Sequence, residues 1–204
     1  MLKCVNIEEL ICEKTLDMME ERPFYKIKVS DLTNYAKIGR STFYLHFDSI
    51  YDVVEKMETD FIDGLIDGFT PGASYMIQQA WAGNDTESYD SQAISEIKEN
   101  SKYIRAHNRE FALLLGPNGD PSFSIKLSKR MYTYMDHVLS STGTKQLETK
   151  KKNLIYEYMI NGTLAYHRYV SVHNDQYTDE EISKLFWQIF KSFQSLIKNL
   201  AKEE

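Results

Sequence analysis

Histidines at 107, 137, 167 and 173, together with 30 acidic side chains, are where this 204-residue chain could do metal or acid–base chemistry. Their spacing builds no such site. His167 and His173 stand six apart, off a common helical face, and no H-x-x-x-H or C-x-x-C pair occurs. There is no G-x-S-x-G elbow and no P-loop. We therefore expect no catalytic residue, no metal site, no cofactor and no enzyme. A different chemistry is offered by "KIGRSTFYLHFDS", residues 37–49. The Arg40 guanidinium suits O6 and N7 of guanine, and the Thr42 methyl suits the methyl of thymine. Ser41, Tyr44 and His46 add hydrogen-bonding groups for bases or phosphates. That combination reads nucleic acid.

Such side chains need an element to aim them. Ile7, Leu10, Ile11 and Met18 predict an amphipathic helix over 6–21, stopped by "RPF" at 22–24. Ser30 is expected to cap a short helix from Asp31 to about Tyr35, with Leu32 and Ala36 inward. Gly39 interrupts the pattern, and a further helix from about Arg40 to His46 places Phe43 and Phe47 four apart as anchors. Asp48 or Ser49 then caps a long helix carrying Ile50, Val53, Val54, Met57, Phe61, Leu65 and Ile66. Three helices with a sharp turn between the second and third predict a helix-turn-helix over residues 1–50.

Charge is distributed to match. The net charge of −6 argues against a protein that coats nucleic acid along its whole surface. Residues 22–47, however, carry Arg22, Lys26, Lys28, Lys37 and Arg40 against Asp31 alone, after a segment with two lysines and six acids. A basic island of this kind suits a local phosphate-binding face, where Lys28 and Lys37 position without specifying. No apolar run is long enough for a membrane helix. The acids in the first 17 residues do not fit a signal peptide, and Cys4 and Cys12 read as reduced thiols of a cytoplasmic protein.

Helical periodicity continues over about 72–82, 91–107, 109–115, 121–140, 146–172 and 178–202. The expected fold is therefore all-α, with a small DNA-binding domain joined through a long helix to a bundle over 51–204, about nine helices in all. Ile182, Leu185, Phe186, Ile189, Phe190, Phe193, Leu196, Ile197 and Leu200 form an apolar stripe wider than one seam requires. Ile155, Met159, Gly162, Tyr166 and Tyr169 share a face of the preceding helix. Helices apolar on two sides must bury both, by packing within the chain or against a second copy, and we expect a homodimer formed by Ile155, Met159, Gly162, Tyr166, Ile182, Phe186, Ile189, Phe193 and Leu196. The bundle is also rich in aromatics and methionines, from which Tyr103, Phe111, Tyr132 and Met135 are candidates to line an effector pocket. The same residues fit a plain core.

"YKIKVSDLTNYAKIGRSTFYLHFDSIYDVV" resembles the DNA-binding region of TetR-type (TetR/AcrR) transcriptional regulators, whose helix-turn-helix ends in a T-ϕ-Y-x-H-F signature (ϕ apolar). Thr42, Phe43, Tyr44, His46 and Phe47 match it position by position. "MINGTLAYHRYV" with "YTDEEISKLF" is similar to the dimer-forming last helix pair of many members, and "LLLGPNGDPSF" to a mid-domain segment of one branch. The resemblance implies a homodimeric repressor on a palindromic DNA operator, released by a small-molecule effector. It places Ser30, Arg40, Ser41, Thr42 and Leu45 at base-contacting positions, and Lys37, Tyr44 and His46 at backbone-contacting or turn positions. Two departures stand out. The usual turn glycine is Lys37, with Gly39 two positions later, and the usual lysine at the start of the fourth helix is Ile50. The loss of that cation leaves open a second reading, a dimeric ligand- or protein-binding module whose operator binding is weakened or lost.

Overall fold

A computed structural model describes residues 6–68, 78–79, 87–139, 148–173 and 175–202. The expected helix at 72–82 and the residues Cys4, Tyr75, Met76 and Trp81 lie outside that set, apart from positions 78–79. The described secondary structure is all helical: α1 (Ile7–Met19), a 3-10 turn (Phe24–Lys26), α2 (Val29–Ala36), α3 (Arg40–Tyr44), α4 (Ile50–Asp67), α5 (Glu87–Ala106), α6 (Asn108–Leu114), α7 (Phe123–Leu139), α8 (Thr149–Val172) and α9 (Asp179–Lys202). No described helix is long and apolar enough to cross a membrane.

The chain falls into two compact units, each assembled from two stretches of sequence. The first unit comprises Met1–Asp63 together with Arg109–Ser124; the second comprises Gly64–Asn108 and Ile125–Glu204. The first gathers its core from every helix it contains. Ile11, Met19, Leu32, Phe43, Val53 and Leu114 are all but inaccessible to solvent. Phe61 stacks on Phe111 at 5.2 Å and meets Phe123 edge-on at 6.2 Å, so the later segment completes the core of the earlier one. Polar ties reinforce this. The Phe24 N–H donates to the Asn118 carbonyl (2.9 Å), Asn118 Nδ2 donates to the Met19 carbonyl (2.7 Å), and Arg109 pairs with Asp17 and Glu20 at 2.7 Å each. Lys14 first, and Arg109 after it, hold the Asp17 carboxyl below its ordinary range. The Asn118 loop is tight: a Cβ on Gly119 would collide with the Leu114 carbonyl.

In the second unit, α5 and α9 lie along each other, tied by the Trp187 indole N–H to Asp90 (2.8 Å) and by Lys191 to the same carboxylate (2.6 Å). Arg105 pairs with Asp179 at 2.7 Å, and Asn108 Nδ2 donates to the Ser171 carbonyl at 3.1 Å. Tyr166 donates its hydroxyl to the Ile182 carbonyl at 2.9 Å, joining α8 to α9.

Candidate nucleic-acid interface and effector cavity

The recognition helix is short. α3 ends at Tyr44, and Leu45 closes it, so His46 lies beyond the helix expected to contain it. Five residues cannot hold a helix in water unaided, and the anchors supply what propensity does not. Phe43 is wholly buried and Phe47 is 6% exposed, their rings 6.1 Å apart. With those two inward, Arg40, Ser41, Tyr44 and Leu45 are turned to solvent, Leu45 at 82% exposure. Thr42 is half-buried beside them. An apolar side chain so exposed gains nothing by folding and is suited to a surface it will meet later. His46 is also exposed, but its Nδ1 lies 3.2 Å from Glu8 Oε1, which ties it to α1 as well as leaving it near the surface.

Three details of the turn differ from expectation. Ser30 does not cap α2: the helix begins at Val29 after Lys28, and the Ser30 hydroxyl sits inside the first turn, donating to Asp31 Oδ1 at 3.2 Å. Gly39 is not the flexible residue of the turn. It has an ordinary extended backbone (φ −73°, ψ 148°), whereas Lys37 takes the left-handed conformation (φ 56°, ψ 42°) and lets the Ile38 N–H reach the Thr33 carbonyl at 3.0 Å. The departure from the usual glycine is thus in residue type and not in backbone shape. Lys37→Gly is expected to raise stability by about 0.5–1 kcal/mol, because glycine bears the left-handed conformation without steric cost. If Lys37 touches a phosphate, the same variant lowers the slope of log K against log salt by about one unit. Denaturant unfolding and a salt titration on DNA check the two effects separately.

The third detail is the start of α4. Ile50 is 5% exposed and belongs to the core. Two backbone N–H groups just before the helix are already taken, as Asp52 Oδ2 accepts from those of Asp48 (2.9 Å) and Ser49 (3.2 Å). Ser49 Oγ in turn accepts from the Asp52 N–H at 3.3 Å. This reciprocal cap stabilises the helix and places a carboxylate where the anion would go. Tyr25 and Tyr51, exposed on either side of the buried Phe24, are hydroxyl donors near this end that periodicity alone did not mark.

The second unit encloses a cavity of about 100 Å³, several times what one water needs. α5 contributes Ala93, Ile97, Asn100 and Ser101; α7 contributes Met131 and Met135; α8 contributes Met159, Thr163 and His167; α9 contributes Phe186, Trp187 and Phe190. Of the four residues expected to line a pocket, only Met135 does so here. Phe111 is in the core of the first unit, stacked on Phe61. Tyr103 packs against Gly64, where any Cβ would strike its hydroxyl, and Tyr132 donates to Asn153 Oδ1 at 2.6 Å. Burial pushes the His167 imidazole down to about 4, so it is neutral at pH 7. Folded and unfolded chains then differ in proton uptake between about pH 6.5 and 4, and stability falls as pH is lowered through that window. We expect about 1–2 kcal/mol to be lost from this group between pH 7 and 4.5, and His167→Gln to remove that part of the loss. Urea unfolding of both proteins at the two pH values checks it. Cys12, by contrast, is inert, its thiol raised to about 11 chiefly by burial. Among the described residues no group of three His, Cys, Asp or Glu side chains could hold a metal ion.

Residues 92–192 match the TetR-type family model described as "Transcriptional regulator C-terminal region". The chain belongs to the TetR-type transcriptional regulators. Two solved structures share its fold. One is the dihydroxyacetone kinase operon activator DhaS, with 19% identity, TM-score 0.53, and coverage of 94% of this chain and 96% of that one. The other is the fatty acid degradation regulator FadR from Bacillus halodurans, with 13% identity, TM-score 0.55 and 93% coverage of each chain. A search of curated protein sequences finds no significant match.

Within this TetR-type regulator, the residues expected at a dimer interface divide into three groups. Met159, Tyr166, Ile182 and Phe186 are turned into their own unit: Met159 and Phe186 line the cavity, Ile182 is 3% exposed, and Tyr166 bonds to the Ile182 carbonyl. Ile155 and Phe193 are half-buried. Ile189 and Leu196 face solvent, as does Gly162, where a Cβ would meet nothing within 4 Å. Tyr169 and Leu185, which periodicity placed on these apolar faces, are exposed, as are Leu154, Tyr158 and Val172, which it did not single out. On α8 they recur every three or four positions with Gly162 and Ala165, and on α9 Leu185, Ile189, Ser192 and Leu196 do the same.

Proposed function

We propose that this TetR-type regulator is a homodimeric repressor that binds a palindromic operator through α3 and is released by a small-molecule effector held in the second unit. One observation carries the DNA-reading part: Phe43 and Phe47 bury while Arg40, Ser41, Tyr44 and Leu45 face outward from the same short helix. Ser30, Thr42 and His46 flank that face, and Lys28 and Lys37 add exposed charge at the entry and exit of α2. The exposed stripes of α8 and α9 support self-association, since a second copy is the commonest way for a soluble chain to cover such a face. A twofold dimer would set two α3 helices on half-sites about 34–36 Å apart, and an effector that favours another spacing would release them.

Binding of the purified protein to its own upstream DNA at two salt concentrations tests the reading. A steep salt slope with sequence preference supports it, and no binding at low salt sinks it. Arg40→Ala is expected to cost about 1–3 kcal/mol on the cognate site only if Arg40 reads a base. An equal loss on random DNA makes it a phosphate contact. A reporter in cells gives the sign. Expression that rises when the protein is deleted supports repression; expression that falls makes the chain an activator, the role that the name of DhaS gives to that protein.

The Asp52 cap on α4 favours one other reading, a dimeric ligand- or protein-binding module with weakened operator contact. Asp52→Asn separates the two. It should strengthen DNA binding several-fold if the carboxylate opposes a phosphate, and leave a protein that does not bind DNA unchanged.

A further inference from the structure

The cavity of the second unit has a chemistry that narrows what it can accept. Among the described residues its lining contains no lysine or arginine, so a carboxylate or phosphate would lose its hydration without a counter-charge. The one charged residue among the described lining is Glu96, which already has an interaction of its own, so it does not stand ready for a cation. The Trp187 indole N–H is spent on Asp90, which leaves that ring to face the cavity as an apolar surface. Met131, Met135 and Met159 make much of the rest of the wall deformable.

Two polar groups stand out in this lining. Ser101 is 4% exposed, and its Oγ is buried with no hydrogen-bond partner among the described residues. A buried hydroxyl left in that state is unfavourable, and a group arriving in the cavity would relieve it. His167 is the other. Tyr166 and Phe186 flank its ring at 5.5 and 5.6 Å. Burial keeps it a neutral imidazole offering one donor and one acceptor.

We propose that the cavity receives an uncharged, largely apolar molecule bearing a hydroxyl or carbonyl group that bonds to Ser101 and His167. This rests on the reading of the cavity as the effector site and names the class of effector it takes. Anionic and cationic relatives of the same shape are rejected, the anion for want of a cation and the cation for want of a free carboxylate.

Calorimetric titration of the full-length protein, without DNA, with 2-naphthylmethanol, 2-naphthoate and 2-naphthylmethylammonium isolates the charge. The alcohol should bind at least about tenfold more tightly than either ion. Ser101→Ala should weaken the alcohol about 2–10-fold while leaving 2-methylnaphthalene unaffected. This variant removes a single oxygen from a helix and should not alter the fold. Equal or tighter binding of either ion, no binding of any of the three, or a Ser101→Ala protein that binds the alcohol as tightly as before overturns the assignment. DNA binding by the same preparation is measured separately. DNA bound without the alcohol defeats this assignment alone; alcohol bound as expected without DNA defeats the regulator reading and leaves the cavity's chemistry standing.

Discussion

Phe43→Ala is expected to destabilise the first unit by about 3–5 kcal/mol, the range for removing a fully buried phenyl ring. The large value follows from position. Phe43 is inaccessible to solvent, lies 5.4 Å edge-on from Tyr44 and 6.1 Å from Phe47, and belongs to a five-residue helix without a side-chain cap. No other residue of α3 is fully buried, Thr42 being half-buried and the remaining positions spent on the outward face. Removing the ring therefore removes the reason for the helix to stay in place. Hydrogen exchange should show protection lost from α1 to α4 while α8 and α9 remain protected, and DNA binding should disappear at every salt concentration. Phe43→Leu, which keeps most of the volume, should cost only about 1–2 kcal/mol. A Phe43→Ala protein that unfolds at the wild-type denaturant midpoint would contradict the anchoring role.

Leu185→Glu is expected to weaken self-association by at least about 100-fold, from the burial of an unpaired carboxylate in an apolar interface. Leu185 is half exposed in the single protomer, so the substitution should be close to neutral for its fold. That separation of effects makes the residue informative. If a second copy covers the stripe formed by Leu185, Ile189 and Leu196, the charge has no exit to water. Sedimentation should then report monomers at concentrations where the wild type is dimeric, with an unchanged circular dichroism spectrum. Operator affinity should fall with it, since one half-site holds fewer phosphates than two. Met159→Glu is the contrasting control: Met159 lines the cavity, and its replacement should destabilise the protomer itself. A Leu185→Glu protein that remains dimeric would move the interface elsewhere.

How far these sites could be read from the sequence depends on the range of the forces that set them. The outward set of α3 was legible because Phe43 and Phe47 are four apart, and helical geometry then assigns every neighbour a side. The boundaries of the later helices were legible for the same reason, since caps and loop compositions act within a few residues. The left-handed turn at Lys37 was not, because the sequence supplied a glycine at 39 that the backbone does not use for that purpose. The interface and cavity residues required a longer view. Periodicity puts both Met159 and Tyr169 on one face of α8, yet only the positions of α5, α7 and α9 decide which part of it the protomer covers for itself. Phe111 is the extreme case: its partner is Phe61, 50 positions away, in a unit whose sequence seemed complete without it.

The contribution of Arg109–Ser124 to the first unit also bears on how parts of this protein can be exchanged. A hybrid regulator made by one splice within α4 would carry the DNA-reading helices but leave behind Phe111, Leu114, Asn118 and Phe123. Its new neighbour at those positions would have to match the foreign Met19, Phe24 and Phe61. The transferable part is therefore two pieces of chain, and a functional hybrid should require both from the same parent.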